Sequence, residues 1–480
     1  MSAIKKNFLF QLIHAASQFL FPVLTYPYIS HRLGPEGLGL IGYVEYVGGF
    51  IVTLAAFGIP IYGVRETARL QNNPIAQRTL ISDLFSIHLI LSLLGAGFFA
   101  LFIHLNAAQA VPPLMITLAC LNIVLPAFTS EWFFQGNEAF GFITTRGIVL
   151  RFAGAAAIFC FVSAASDTVV YYAITVGIQL TVALANLFKA GPSNYRLRFW
   201  NACRHLKGLR HFFLSSSFIG AYVFLDVIIL ARMAGKVDVG YYTVAIKMIK
   251  LSLLLVLSLN VILFPRISYL SNNNPNGVSE LISRAMQYVL LTTVPLAVGF
   301  VTLAAPLIHV LVGESFVPAV LLLQLLALLP LIIGFSNLFV YHILTPFNQE
   351  EKLLRSVMVA FVCSLFFHTI LAYFFTARGT AVATLLTETV VTLLTGYYAY
   401  KNCRFAFPVA TLWQSALASL PVVIITQAAS VWFSNPITVL IFATVSGGIV
   451  YFLLQFFVLK NNLMRDVVFS FTQKKTVRDA

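Results

Sequence analysis

RLGPEGLGLIGYVEYVGG, residues 32–49, is a turn that becomes a long apolar run reaching Ile61. Gly34, Pro35, Glu36 and Gly37 resist a helix interior, so a chain reversal belongs there. The run beyond them is too long for a strand and does not alternate. It reads as a helix long enough to cross a bilayer. Ten residues past Pro35 stands Glu45, with no polar company nearby in sequence. A carboxylate in hydrocarbon is costly, so its position predicts a partner or a hydrated space.

The composition extends this reading to the whole chain. The 480 residues are 59% hydrophobic and 10% charged, with a mean hydropathy of +0.90. Soluble domains carry roughly 25% charged residues. So few charges cannot cover a water-facing surface, and the outer face must meet lipid. Helices, and not a barrel, follow from apolar runs that exceed about 20 residues. Cys120, Cys160, Cys203, Cys363 and Cys403 show no CxxC pairing and imply neither a disulfide framework nor zinc. Lys5 and Lys6 precede an apolar stretch, Phe8 to Ile29, that is too long for a signal h-region and reads as a retained first span.

Breaks at charge, Pro, Gly and Asn predict about fourteen spans. Their limits are 8–30, 38–63, 80–103, 112–133, 145–165, 168–189, 211–232, 239–264, 283–304, 318–345, 353–375, 380–400, 412–433 and 437–459. With the N-terminus inside, the loops expected outside hold only Arg32, Arg232, Lys236 and Arg378 of the 30 Lys and Arg. Arg151, Lys247 and Lys250 fall within spans, and the rest lie in inside segments. That asymmetry obeys the positive-inside rule and explains the net charge of +14 without a nucleic-acid partner. It places both termini in the cytoplasm.

The opening stretch has a counterpart about 200 residues later, RMAGKVDVGYYTVAIKMIK (232–250). Arg32 matches Arg232. With one residue inserted, Gly39 matches Gly240, and Arg65 and Arg266 end the following spans. The fold class expected is therefore an all-α polytopic membrane protein with two pseudo-symmetric six-helix lobes and a C-terminal pair. The divisions are an N-terminal lobe (1–190), a cytoplasmic basic linker (191–210), a C-terminal lobe (211–400), and an extra helix pair with a basic tail (401–480). Two parallel bundles suit a transporter whose halves rock about a central cavity.

Candidate site residues are the charges inside spans. Asp226, Lys247 and Lys250 fall on one predicted hairpin at similar depth, with Lys250 on the same helical face as Lys247. Glu45 reaches the depth of Asp226 in the other half; both acids are candidates for ion coupling, or for structural pairs. Arg146 and Arg151 either snorkel to headgroups or grip a phosphate by bidentate hydrogen bonds. Arg65 and Arg266 end equivalent spans and read as interfacial anchors or phosphate ligands. Lys247, Lys250, Arg146, Arg151, Arg65 and Arg266 make up the candidate substrate-binding set. Glu388 lies in a late span and is less well placed. His14, His88, His309, His342 and His368 lack metal-ligand spacing and read as core or interface residues. No catalytic constellation, metal site or Walker loop is present, so the expectation is a transporter and not an enzyme.

Three stretches carry a resemblance: PVLTYPYISHRLGPEGLGLIGYVEY (22–46), EWFFQGNEAFGFITTRGIVLR (131–151) and LVGESFVPAVLLLQLLAL (311–328). Together they resemble the Wzx-like polysaccharide-repeat flippases of the multidrug/oligosaccharidyl-lipid/polysaccharide exporter superfamily. The resemblance implies two six-helix lobes and transfer of undecaprenyl-pyrophosphate-linked oligosaccharide across the bacterial cytoplasmic membrane. It implies a place in O-antigen, capsule or exopolysaccharide assembly. Many members have twelve spans, so a final pair departs from the pattern. The partners expected are that lipid-linked oligosaccharide, membrane lipids, a polysaccharide polymerase and a chain-length regulator. No cofactor is expected beyond a proton or sodium gradient. The alternatives are a lipid II flippase, a drug/cation antiporter, disfavoured by the interior cations, and a membrane polymerase, disfavoured by the short outer loops.

Overall fold

The protein is described here from a computed structural model, over residues 3–107, 111–253, 275–347, 349–461 and 463–465. Among these residues the regular structure is helical throughout. The chain divides into two compact units, Met1–Gly240 and Tyr241–Ala480. The division falls after the span that follows the basic segment 191–210.

The first unit contains α1 (Ala3–Ala56), α2 (Ile59–Arg69), α3 (Pro74–Ala107), α4 (Pro113–Thr129) and α5 (Glu131–Gly136). It continues with α6 (Phe140–Phe161), α7 (Thr168–Ala190), the short α8 (Phe199–Ala202) and α9 (Leu206–Ala234). A further helix, α10 (236–253), straddles the division. The second unit contains α11 (Pro275–Thr302), α12 (Ala304–Leu311), α13 (Ala319–Leu326), α14 (Leu329–Phe339), α15 (Glu350–Asn402), α16 (Val409–Trp432) and α17 (Pro436–Leu453). Within it, α11 packs on α14 and α16, and α16 on α17. Met286, Val289, Leu290, Leu338 and Ile343 form a buried core there.

Among the described residues, 11 helices are long and apolar enough to cross a membrane. Glu351–Asn402 holds two of the segments separated in the sequence reading, and Leu24–Arg69 holds one of them with the end of the segment before it, which α1 joins. The reason is a local break inside a continuous run of helical hydrogen bonds, at Gly34 (φ 64°, ψ −177°) and at Thr376 (φ 51°, ψ −130°). At the second break the chain folds back tightly: a Cβ on Gly379 would lie 1.8 Å from the Leu371 carbonyl oxygen. The predicted span 239–264 runs past residue 253 and beyond the described residues. Large apolar side chains such as Phe98, Phe152, Phe366, Phe374 and Val431 are exposed on many of these helices. In water that surface would drive aggregation; around a multi-span membrane protein it is the lipid-facing coat.

The turn quoted above has a conformational twin. Gly34 and Gly235 share one unusual backbone geometry, φ 64°, ψ −177° and φ 84°, ψ −176°. Only glycine adopts it without large steric cost. A constant offset of 201 residues relates 34 to 235 and 39 to 240. The second pair meets in space. A Cβ on Gly39 would lie 1.7 Å from the Lys236 carbonyl oxygen and 3.0 Å from the Gly240 nitrogen. A Cβ on Gly240 would lie 2.1 Å from the Pro35 carbonyl oxygen. Repeat-equivalent glycines thus let two helix starts cross backbone against backbone, and α9 packs along α1 beside that crossing.

Candidate functional site

The site grows from a stripe on α7. Tyr172, Thr175, Gln179 and Asn186 follow heptad spacing, so they share one face of a helix that is otherwise apolar. That face packs against α4 and α6, and α1 packs against α6 and α4. On α6, Arg146, Gly147, Leu150 and Arg151 recur at one-turn spacing and present two guanidiniums to the same region. Glu45 comes from the second half of α1, and Asn122 from α4. The chain breaks between α4 and α5 at Ser130, which is left-handed (φ 37°, ψ 42°), so Glu131 starts a new helix rather than continuing the old one. Glu138, also at positive φ (56°), ends that short segment before α6. Together these elements enclose a cavity of about 640 Å³ in the first unit, lined by Glu45, Asn122, Glu131, Arg146, Arg151, Tyr172 and Gln179 among others.

Its electrostatics centre on Arg146. Nη2 of Arg146 donates to Glu131 Oε1 at 2.9 Å, and Nη1 donates to Asn186 Oδ1. Asn186 in turn donates through Nδ2 to the Thr129 carbonyl at 2.5 Å. The Phe142 ring covers the guanidinium from 5.5 Å. Arg146 is therefore clamped, with only 9% of its side chain exposed, while Glu131 keeps 38%. Arg151 donates from Nη1 to Ser17 Oγ at 2.6 Å and lies within electrostatic reach of both Arg146 and Glu131. Two arginines against Glu45 and Glu131 leave the four named charges formally balanced. A buried cation is tolerated only when paired or hydrogen-bonded, and this network meets that requirement. Paired guanidiniums in a polar chamber can grip an anion with two or more oxygens.

Three of the sequence candidates, Glu45, Arg146 and Arg151, thus line one cavity. The others lie elsewhere. Arg65 sits within α2, about one turn before its end, half exposed, bound to Glu66 at 3.0 Å and over the Tyr62 ring. Asp226 is buried on α9, where its carboxylate accepts from the Val227 amide at 2.7 Å. Lys247 and Lys250 are on the part of α10 that belongs to the second unit. Arg266 lies outside the described residues. The sequence reading missed Glu131, Asn122, Tyr172, Gln179 and Asn186. The heptad polar stripe on α7 was the available signal for three of them. Among the described residues, no group of three or more His, Cys, Asp or Glu could hold a metal ion. His368 is a core residue of the second unit, bonded through Nδ1 to the Ser364 carbonyl (2.9 Å) and through Nε2 to Thr384 Oγ1 (3.3 Å).

A second cluster, also missed, ties down the basic segment. Asp83, fully buried near the start of α3, takes Arg204 Nη2 at 2.6 Å, with Arg198 Nε at 3.7 Å and His205 Nε2 at 3.4 Å. Ser82 Oγ donates to the Asn194 carbonyl at 2.6 Å, and Ser86 Oγ accepts from the Arg198 amide at 2.8 Å. Tyr62 and His205 share a 2.9 Å hydrogen bond. Removing the Asp83 carboxylate in Asp83→Ala strands cations that are themselves partly hydrated. The expected cost is about 1–3 kcal/mol of segment docking. Limited trypsin digestion should then cut faster after Arg196, Arg198 or Arg204; an unchanged rate would disprove the clamp.

Burial, reinforced by the Arg204 charge, holds the His205 pKa below its usual value despite Asp83 and Glu66. A lowered folded pKa means that the unfolded chain takes up this proton first. The docked state therefore has its full His205 contribution above about pH 6.5 and loses it as pH falls below that value. Melting temperature should drop between pH 7.5 and 5.5, and less so in His205→Asn. Equal drops in both proteins would exclude His205 as the cause.

The chain is a helical membrane protein with a charged, hydrogen-bonded chamber among its spans. The solved structures that share that fold include two similar over most of their length. "Lipid II flippase MurJ, inward closed conformation" matches with a TM-score of 0.62 at 15% identity, covering 90% of this chain and 98% of that one. An inward-facing multidrug resistance MATE family transporter of the MOP superfamily matches with a TM-score of 0.61 at 14% identity, over 80% and 94%. The chain belongs to the polysaccharide biosynthesis protein family, whose profile it matches over residues 4–271. It is 25% identical over 409 residues to the "Putative O-antigen transporter" of Escherichia coli (strain K12), covering 83% of this chain and 97% of the relative. It is also 25% identical over 290 residues to the "Probable low-salt glycan biosynthesis flippase Agl15" of Haloferax volcanii, covering 60% and 61%.

Proposed function

We propose that this protein is a flippase that carries an undecaprenyl-pyrophosphate-linked oligosaccharide across the bacterial cytoplasmic membrane, for O-antigen, capsule or exopolysaccharide assembly. The observation that carries the proposal is the pair Arg146 and Arg151 in one polar cavity within membrane-spanning helices. The two guanidiniums offer the planar, bidentate donors that suit the oxygens of a pyrophosphate. The sugar hydroxyls suit the amide and hydroxyl groups of Asn122, Thr175, Gln179 and Tyr172. The prenyl chain stays in lipid, where its burial needs no protein contact. The names of the curated relatives, an O-antigen transporter and a glycan flippase, support this substrate class.

In this reading both termini face the cytoplasm, and the segment clamped by Asp83 lies on the cytoplasmic face. Transport proceeds by alternating access, reset by a proton or sodium gradient in which Glu45 or Asp226 takes part. A polysaccharide polymerase and a chain-length regulator act on the delivered repeat unit. The test is a leaflet-resolved assay in proteoliposomes. Undecaprenyl-pyrophosphate-linked oligosaccharide should change leaflet with the protein present and not with empty vesicles. Movement of lipid II alone would reassign the substrate; movement of neither lipid would overturn the proposal.

A further inference from the structure

Glu131 occupies the place an incoming anion needs. It meets Arg146 through a single oxygen, Oε1, on Nη2. The neighbouring Nε of Arg146 is buried and has no hydrogen-bond partner among the described residues. Nε and Nη2 form one edge of the guanidinium, the edge that takes two parallel hydrogen bonds from a carboxylate or phosphate. That edge is half used.

The two partners differ in freedom. Arg146 is held by Asn186, covered by Phe142 and 9% exposed, so it cannot follow a departing acid. Glu131 is 38% exposed and stands directly after the left-handed Ser130, at a break between two helices. It can leave into the polar cavity by side-chain rotation or by a small change at that break. Arg151 lies close by, so an anion that replaces Glu131 also meets a second cation.

We infer that Glu131 is a resident counter-ion: it neutralises Arg146 in the empty cavity and is displaced when a phosphate or pyrophosphate group completes the Nε–Nη2 edge. The inference rests on the anion-binding reading above and adds a regulating residue to it. Exchange of one oxygen for two satisfies the orphaned Nε, which gives binding its favourable direction. Return of Glu131 supplies a competing ligand that promotes release. A carrier needs both, because an anion held too tightly would never leave.

The experiment measures inorganic pyrophosphate binding to the full-length protein in detergent, by calorimetry, for wild type, Glu131→Gln and Arg151→Ala. Glu131→Gln keeps the shape and a hydrogen-bond acceptor for Arg146 but removes the competing charge. Its affinity should rise about tenfold over wild type. Arg151→Ala should bind more weakly than wild type. Equal or weaker binding by Glu131→Gln, with wild type and Arg151→Ala behaving as stated, overturns the counter-ion while leaving the anion site intact. Absence of pyrophosphate binding in wild type overturns both. A matching gel-filtration profile and melting temperature for Glu131→Gln excludes misfolding as the source of a weaker result.

Discussion

Gly39→Ala is expected to destabilise the first unit by about 3 kcal/mol or more, although it adds one methyl group to a helix. The new Cβ would lie 1.7 Å from the Lys236 carbonyl oxygen. No side chain can rotate away to relieve that clash, because the obstacle is backbone. Two helix starts must move apart, and the hydrogen bonds and apolar packing beside them move too. Gly240→Ala meets the Pro35 carbonyl oxygen at 2.1 Å and should behave alike. Gly97→Ala is the control: its Cβ would meet nothing within 4 Å, and helix propensity alone favours the change. Thermal melting of the three purified proteins in one detergent gives the comparison. If Gly39→Ala melts like Gly97→Ala, the backbone crossing is not as tight as described.

The double variant Arg146→Ala, Arg151→Ala should lower the flipping rate by about a hundredfold or more, since each charge-assisted contact to phosphate is worth about 1.5–3 kcal/mol. Arg151→Ala alone removes a guanidinium that donates to the Ser17 hydroxyl, and should lose transport with little loss of fold. Arg146→Ala also strands Asn186 Oδ1 and frees Glu131, so part of its effect is structural. Arg146→Lys separates the two contributions. It keeps the charge but has no planar fork, and should recover stability more than transport. The proteoliposome assay measures the rate and thermal melting measures the fold. Full transport by the double variant would remove this cavity from the pathway.

Much of the architecture is legible in local chemistry. The helical, many-span character follows from apolar run length, because lipid leaves the backbone no other partner than its own helix. The turn at Gly34 follows from its Gly and Pro content. Its twin at Gly235 follows from a faint repeat, which the shared backbone dihedrals make concrete. Glu45, Arg146 and Arg151 stand out because ions within spans are rare and costly. Asp83 did not stand out, since an acid near a span end looks like an interfacial residue until its partners are known. Those partners, Arg198, Arg204 and His205, are more than a hundred positions away in the chain.

By itself, then, the sequence determined that the chain is helical, that it crosses the membrane many times, where it turns, and which buried charges need explaining. Tertiary structure decided which of those charges share a chamber: Glu45, Arg146 and Arg151 do, together with a Glu131 that drew no notice in one dimension. It also decided that Gly39 and Gly240 touch. The physical reason is that span formation depends on neighbouring residues and the solvent, whereas an ion pair or a backbone crossing depends on distances between helices that the chain order does not encode locally.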